Sequence, residues 1–143
     1  MGKFTERYKT NTSMEEDGVW VDMGDGIKVK VRRLNSKHSQ ETRRKLEKPY
    51  AGQYRTRDMP ASLQEELMVK QLAQSIIVDW EGVEDPQDDS KTLPCTPENV
   101  MLIMTQFKDF REDCVTASMT QATFQDVSVA EAEGNSEPAS NGK

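Results

Sequence analysis

The chain has 143 residues, of which 34% are hydrophobic and 31% are charged. This length predicts one domain, and the low apolar fraction predicts a small core with polar segments outside it. No stretch approaches the roughly 20 apolar residues of a membrane span, and the N-terminus has no apolar signal segment, so we expect a soluble protein without an anchor.

Charge is distributed unevenly along the chain, although the net charge is only −6. Residues 28–57 contain eleven Lys or Arg against two Glu, whereas residues 58–143 contain five Lys or Arg against seventeen Asp or Glu. Such a chain can associate with itself or present two differently charged surfaces to partners. The two cysteines, Cys95 and Cys114, lack CxxC spacing, and we expect both to be reduced thiols.

The first element with a clear pattern follows residues 1–17, which are polar and aperiodic and are predicted to form a flexible arm. Apolar and polar residues then alternate in two runs, Val19–Met23 and Ile27–Arg32, on either side of Gly24-Asp25-Gly26. Asp-Gly between alternating runs is typical of a β-hairpin, because both residues tolerate the positive φ of a tight turn. The sequence therefore predicts a hairpin over residues 19–33.

Helices are needed to cover the apolar face of this hairpin, because a lone hairpin is marginal in water. The pattern predicts a basic helix over residues 36–48, with Asn35 or Ser36 as its N-cap, followed by a polar connector over residues 50–59. It predicts the strongest helix over residues 61–80, where Ser62 and Glu65 fit a capping box and apolar residues recur at helical spacing.

The second half continues with an acidic loop over residues 81–95. Thr96 as N-cap and Pro97 as first helical residue predict a helix over residues 97–107, and a further helix follows over residues 109–124. Residues 128–143 are predicted to be a disordered acidic tail. The predicted fold is α+β and mainly α, with an N-terminal β-hairpin packed on a small set of α-helices in one domain of residues 18–127.

Catalytic and ligand-binding patterns are not visible in the sequence. His38 is the only histidine and sits in a polar basic segment without an orienting partner, so we interpret it as a surface residue. The acidic loop lacks the spacing and central Gly of a calcium-binding EF-hand, and Gly24–Gly26 is not followed by a helix start, as a nucleotide site would need. We therefore expect no enzymatic activity, no cofactor and no metal.

Two surfaces are predicted to bind partners. Core packing is the favoured interpretation of the Met side chains among the helical apolar stripes, and an adaptable groove for an apolar helix is the alternative; both hold if the core is open on one side. The predicted groove consists of Leu67, Met68, Leu72, Ile76, Met101, Met104 and Phe107. The excess of positive charge predicts a basic docking face for an acidic partner, formed by Lys28, Lys30, Arg32, Arg43 and Arg44. Nucleic acid is the disfavoured partner, because the whole chain is acidic and carries no known reader motif.

Two phrases of the sequence resemble those of tail assembly chaperones of long-tailed bacteriophages. Val78-Asp79-Trp80-Glu81-Gly82-Val83 is similar to a V-D-W-x-G-V phrase of that family, and Pro94-Cys95-Thr96-Pro97-Glu98-Asn99 is similar to its P-x-T-P-E-N helix start. The hairpin, with Trp20, also resembles the family, so the resemblance covers roughly residues 18–120. It departs at residues 88–91, where a Gly turn is expected, and at Cys95, where an aromatic residue is usual.

The resemblance implies a chaperone that binds the tape-measure protein, keeps it soluble and helps recruit tail-tube subunits. Such a protein acts in the host bacterial cytoplasm and is missing from the mature virion, and many relatives have a longer, frameshifted form. The expected partners are the tape-measure protein, the tail-tube protein and a second copy of the chain, with no membrane. Two alternatives stay open: a structural virion component, such as a head–tail connector or tail-completion subunit, and a small nucleic-acid-binding regulator.

Overall fold

The predicted hairpin is present in the computed structural model, which describes residues 2–126 of the chain. Its strands are β1, Val19–Gly24, and β2, Ile27–Val31, and they pair antiparallel. Asp25 and Gly26 between them both have positive φ, of 54° and 79°, as the favoured two-residue hairpin turn requires. The predicted acidic tail, residues 128–143, lies outside the described residues.

The long helix predicted over residues 61–80 is wrong in its second half. Helix α5 spans Ala61–Gln71 and widens into a π-helical turn at Leu72–Ile76, after which the chain becomes strand β3, Ile77–Glu81. β3 pairs antiparallel with β2, so the hairpin is extended to a three-stranded sheet in the order β1-β2-β3. The β-branched run Ile76-Ile77-Val78 favours an extended backbone, and this preference outweighs the continuing apolar spacing.

The capping box predicted at Ser62 and Glu65 is also wrong. The N-cap of α5 is Pro60, and no side chain caps it. The Glu65 carboxylate instead accepts a hydrogen bond of 2.7 Å from Nη2 of Arg111, which is almost fully buried and needs a charged partner. A long-range ion pair thus replaces the local cap.

Three segments predicted to lack regular structure contain helices or strands. The connector predicted over residues 50–59 contains helix α4, Ala51–Thr56, which directly follows a 3₁₀ turn, Lys48–Tyr50. The acidic loop contains a second hairpin, with strands β4, Glu84–Asp85, and β5, Asp88–Thr92. The predicted arm contains α1, Lys3–Tyr8, and α2, Thr12–Asp17, where Asn11 N donates to the Phe124 carbonyl at 2.8 Å. Such contacts between distant residues leave no local pattern.

The remaining helices lie close to their predicted positions. α3 spans Lys37–Glu47, with Ser36 accepting from Ser39 N, and α6 spans Pro97–Gln106, with Thr96 accepting from Asn99 N. α7 spans Lys108–Met119 and is followed by a 3₁₀ turn, Gln121–Phe124. The mainly helical α+β class is therefore confirmed.

The core fills the space between the inner face of the sheet and the helices. β2 contributes Val29 and Val31, and register places them opposite Trp80 and Ile77 of β3. The helical side contributes buried apolar residues from α5, its π turn, α6, α7 and the last 3₁₀ turn: Val69, Leu72, Ala73, Ile76, Val100, Ile103, Met104, Cys114 and Phe124. Sheet and helices therefore depend on one another for the burial of their apolar faces.

Helix α3 is held to this core by polar contacts that the sequence did not predict. Ser39, Gln71 and Ser75 are all buried. Gln71 Nε2 donates to Ser39 Oγ at 2.9 Å, and Ser75 Oγ donates to the Gln71 carbonyl at 2.9 Å. Because buried polar groups need partners, this network fixes α3 against α5 although α3 has only one large apolar residue, Leu46.

Gly82 brings the end of β3 against the turn of the first hairpin. Its φ is +77°, and a Cβ added there would lie 2.4 Å from the carbonyl oxygen of Gly26. Only glycine allows so close an approach of two backbone segments.

Replacing Gly82 by Ala is expected to lower the free energy of unfolding by about 3 kcal/mol, the sum of left-handed backbone strain and a backbone clash. Gly26→Ala is the matched control, because Gly26 has a similar φ but open space where its Cβ would be. The Gly26→Ala control should lower the free energy of unfolding by only about 1 kcal/mol. Urea unfolding followed by circular dichroism measures both, and equal losses would contradict the close approach.

Candidate functional site

The structure separates the seven residues of the predicted groove. Leu72, Ile76 and Met104 have no exposed surface, so they are core residues and the groove prediction is wrong for them. For Leu72 and Ile76 the reason is the turn from helix to strand, which directs the second half of the apolar stripe against the sheet, whereas Met104 lies on the buried side of α6. Leu67 is also buried, although it lines a concavity together with Met68, whereas Phe107 lines a different concave surface and Met101 lies half-buried at the core margin.

Phe107 lines a recess between the second hairpin and the junction of α6 with α7. The recess has a volume of about 370 Å³. Its ten lining residues are Ile27, Gly82, Val83, Glu84, Asp85, Pro86, Asp89, Ile103, Phe107 and Phe110. We call this surface the hairpin recess. Six of its residues are apolar, and the only charged ones are acids.

The break between α6 and α7 places two aromatic residues at the recess. Phe107 has non-helical φ and ψ of −111° and 84°, although its N–H still donates to the Ile103 carbonyl at 2.8 Å. Its side chain is 43% exposed, whereas Phe110 on the first turn of α7 is half-buried against the core. The recess therefore has one aromatic residue in its floor and one open to a partner.

The opposite wall is the second hairpin, whose base is closed by one hydrogen bond and joined to the core by another. Leu93 N donates to the Val83 carbonyl at 2.8 Å, and Nε1 of buried Trp80 donates to the Leu93 carbonyl at 2.7 Å. The contact of Gly82 with the first turn brings Ile27 to the same wall. The phrase at residues 78–83 thus forms most of β3 and the contact of Gly82 with the first turn. The phrase at residues 94–99 contains Thr96 and Pro97, which begin α6. Both phrases that resemble the chaperone family therefore lie on residues that build the fold.

Acidic residues form the rim of the hairpin recess. Glu84, Asp85 and Asp89 line it, and the ten lining residues include no Lys, Arg or His. Beside them, the hydroxyl and backbone N–H of Ser90 donate to the Asp88 carboxylate at 2.6 and 3.1 Å, which lowers the pKa of Asp88. The recess therefore combines an apolar floor with negative charge at its edge.

Sequence reasoning found only Phe107 of this recess. Ile27 and Ile103 lie on elements with predicted binding residues but are not among those residues, and residues 83–89 are part of the predicted acidic loop. Val83 and Pro86 are the residues that could have indicated this site, because apolar residues within an acidic segment are expected to pack against another apolar surface.

A second concavity lies between α3, α4 and α5 and has a volume of about 440 Å³. Its lining residues are Leu34, Arg43, Leu46, Glu47, Gln53, Tyr54, Arg57, Met59, Gln64, Leu67, Met68 and Gln71. Leu67 and Met68 of the predicted groove therefore lie here, away from Phe107. Half of these twelve lining residues are polar or charged, and Nε of Arg43 already donates to the Glu47 carboxylate at 2.8 Å. The hairpin recess is the more apolar surface.

The five residues of the predicted basic face do not form one surface. On the outer face of the sheet, Lys28 lies between Asp22 of β1 and Glu81 of β3, while Lys30 lies between Trp20 and Asp79. Opposite charges on neighbouring strands attract and neutralise each other. The prediction of a basic docking face is therefore wrong for these two lysines, because it considered one strand without its neighbours.

Arg32 and the two arginines of α3 have different environments again. Arg32 Nε donates to the Glu16 carbonyl at 2.6 Å and Nη1 donates to the Ser75 carbonyl at 2.7 Å, so this side chain joins α2 to the π turn. It interacts with the negative end of a helix and is structural. Arg43 is paired with Glu47, whereas Arg44 is exposed on α3.

The two thiols are free, and burial changes their chemistry. Burial raises the pKa of Cys95 to about 11 and that of Cys114 to about 12, so both thiols are protonated at neutral pH. Within residues 2–126 no three His, Cys, Asp or Glu side chains are grouped to hold a metal ion. No helix in the described part of the chain has the length and apolar character needed to cross a membrane.

The model of one protein family, described as YdaY prophage protein, matches residues 34–135, well over half of the chain. The chain belongs to the YdaY prophage protein family. It is therefore phage-derived. No curated protein matches it, and no solved structure does. The matched range contains the second hairpin and the α6–α7 junction of the YdaY-family chain, and it begins after β2.

Replacing Arg32 by Met should lower the free energy of unfolding by about 2 kcal/mol, because two charge-assisted hydrogen bonds to partly buried carbonyls are lost. Arg44→Met is the matched control and should change stability by less than about 0.5 kcal/mol, since Arg44 is exposed. Urea unfolding measures both, and equal effects would show that Arg32 does not join α2 to the π turn.

Proposed function

We propose that this YdaY-family protein is a non-enzymatic tail assembly chaperone that binds the tape-measure protein, keeps it soluble and helps recruit tail-tube subunits. The observation that carries the proposal is the hairpin recess, an apolar surface left open beside the core. Phage origin and the two phrases that resemble such chaperones support the same role. On this proposal the protein acts in the host bacterial cytoplasm.

The recess is suited to cover the aggregation-prone apolar faces of such a partner. A tape-measure protein is a long, helix-rich chain, and its apolar faces would aggregate before assembly. An apolar recess can cover part of such a face in the manner of a helix in a groove. The charged exterior of the chaperone, with 31% charged residues, then keeps the complex soluble.

The size of the recess favours weak binding at each site. Burying two or three apolar side chains gives roughly 4 to 8 kcal/mol, and association itself costs at least about 4 kcal/mol. One recess therefore holds its partner only weakly, which suits a chaperone that must release it during assembly. Several copies along one tape-measure chain would together shield it.

Nucleic-acid binding receives less support from the same structure. Lys28 and Lys30 are each flanked by a carboxylate, so the sheet offers no continuous row of cations to a phosphate backbone. We therefore do not propose a regulator that binds nucleic acid.

Co-expression with the tape-measure protein of the same phage should raise the soluble fraction of that protein several-fold. Phe107→Asp should return the soluble fraction to the level seen without the chaperone, because a buried carboxylate opposes the apolar contact. Met119→Asp is the matched control, since Met119 is also an exposed apolar residue but lies outside the recess. Circular dichroism verifies that both variants fold, and no gain from the wild type would refute the chaperone.

Purified particles of a phage carrying this gene should lack the protein, because a chaperone leaves before the tail is complete. Quantitative mass spectrometry of the particles measures this, with the tail-tube protein as the internal standard. A constant, stoichiometric amount in the particles would instead assign the chain to the structural components, such as a connector or tail-completion subunit.

A further inference from the structure

We infer that the hairpin recess selects a helical segment whose apolar residues are flanked by Lys or Arg. The identity of the partner as a tape-measure protein rests on the proposed function, whereas the selection is a property of the recess. Neither the family match nor the resemblance of the two phrases assigns this charge preference.

The rim supplies the charge selection. Glu84, Asp85 and Asp89 all line the recess, and no cation is among the lining residues. The nearest basic residue along the hairpin, Lys91, is engaged with Asp88, with 3.7 Å between Nζ and Oδ2. Carboxylates beside an apolar floor interact more strongly with an opposite charge than they would in open water. A partner with acidic flanks would meet three like charges.

The floor favours a helix over an extended peptide. It is built from apolar side chains, among them Ile27, Ile103 and Phe110. An extended peptide would place its own unpaired N–H and C=O groups on this surface, at a cost for each group left without a partner. A helix satisfies those groups internally and presents only side chains.

Within residues 2–126, a second copy of the chain supplies no such segment of two or more helical turns. Its most basic helix, α3, carries a single large apolar residue, Leu46, which already lines the concavity beside α4 and α5. The apolar helices α6 and α7 have acidic first turns, at Glu98 and Asp109. Helix α1 carries exposed Phe4 and Tyr8 beside Lys3 and Arg7, but its six residues are too few for apolar positions spaced from i to i+7. The occupant that fits is therefore a longer helical segment of another protein.

The test uses two synthetic 18-residue helical peptides with identical Leu positions at i, i+3, i+4 and i+7 spacing. One peptide carries Lys at the flanking positions and the other carries Glu. Fluorescence anisotropy with the full chain should show that the Lys peptide binds at least tenfold more tightly than the Glu peptide. Equal affinities would overturn the charge selection.

Two variants locate the binding. The double variant Glu84→Lys, Asp89→Lys should weaken binding of the Lys peptide about tenfold. The double variant Glu6→Lys, Glu41→Lys makes an equal charge change outside the recess and should weaken this binding less than twofold. Phe107→Ser should weaken binding of the Lys peptide about tenfold, because an aromatic contact with the peptide is lost. Unchanged affinity in either recess variant would place the binding elsewhere and overturn the inference.

Failure of this inference is distinguishable from failure of the proposed function. If neither peptide binds while co-expression still raises tape-measure solubility, the recess preference is wrong and the chaperone role stands. If the Lys peptide binds as expected but co-expression gives no gain, the recess is a helix-binding site of a protein with a different partner.

Discussion

The pairing of β3 with β2 is the contact on which the rest of the structure depends. It sets Trp80 opposite Val29 and Ile77 opposite Val31, so that one register buries the inner face of the sheet and the end of the α5 segment together. Neither part is stable alone, because a two-stranded hairpin and a short helix each leave an apolar face in water. Arg32 secures the junction by binding the Ser75 carbonyl just before β3 begins.

The same register determines where a partner can bind. Because β3 ends beside the first turn, the chain passes Gly26 at Gly82 and returns as the second hairpin, whose base is fixed by the Trp80 indole. The hairpin and the break at Phe107 then enclose an apolar space that the core does not fill. Apolar surface is left over at this place because two short elements meet there without a third to cover them. The structure thus combines a filled core with a small open apolar surface, the hairpin recess.

The sequence predicts local features of this fold better than its long-range ones. Asp25-Gly26 and Thr96-Pro97 are recognisable because turn and cap chemistry depend on a few neighbouring residues. The segment Ile76–Trp80 is ambiguous, since its spacing suits a helix and its β-branched residues suit a strand, and only pairing with β2 decides between them. Lys28 and Arg32 were misassigned for the same reason, because their acidic or carbonyl partners lie on other elements. The recess draws on three separate segments, at residue 27, residues 82–89 and residues 103–110, so single-segment patterns revealed only Phe107.

Hydrogen–deuterium exchange of the chain, alone and bound to the tape-measure protein, tests most directly whether the partner binds at the hairpin recess. Amides in residues 82–89 and 103–110 should exchange more slowly in the complex, while those of α3, at residues 37–47, should be unchanged. Slower exchange confined to α3 and α4, with residues 82–89 unaffected, would contradict this account.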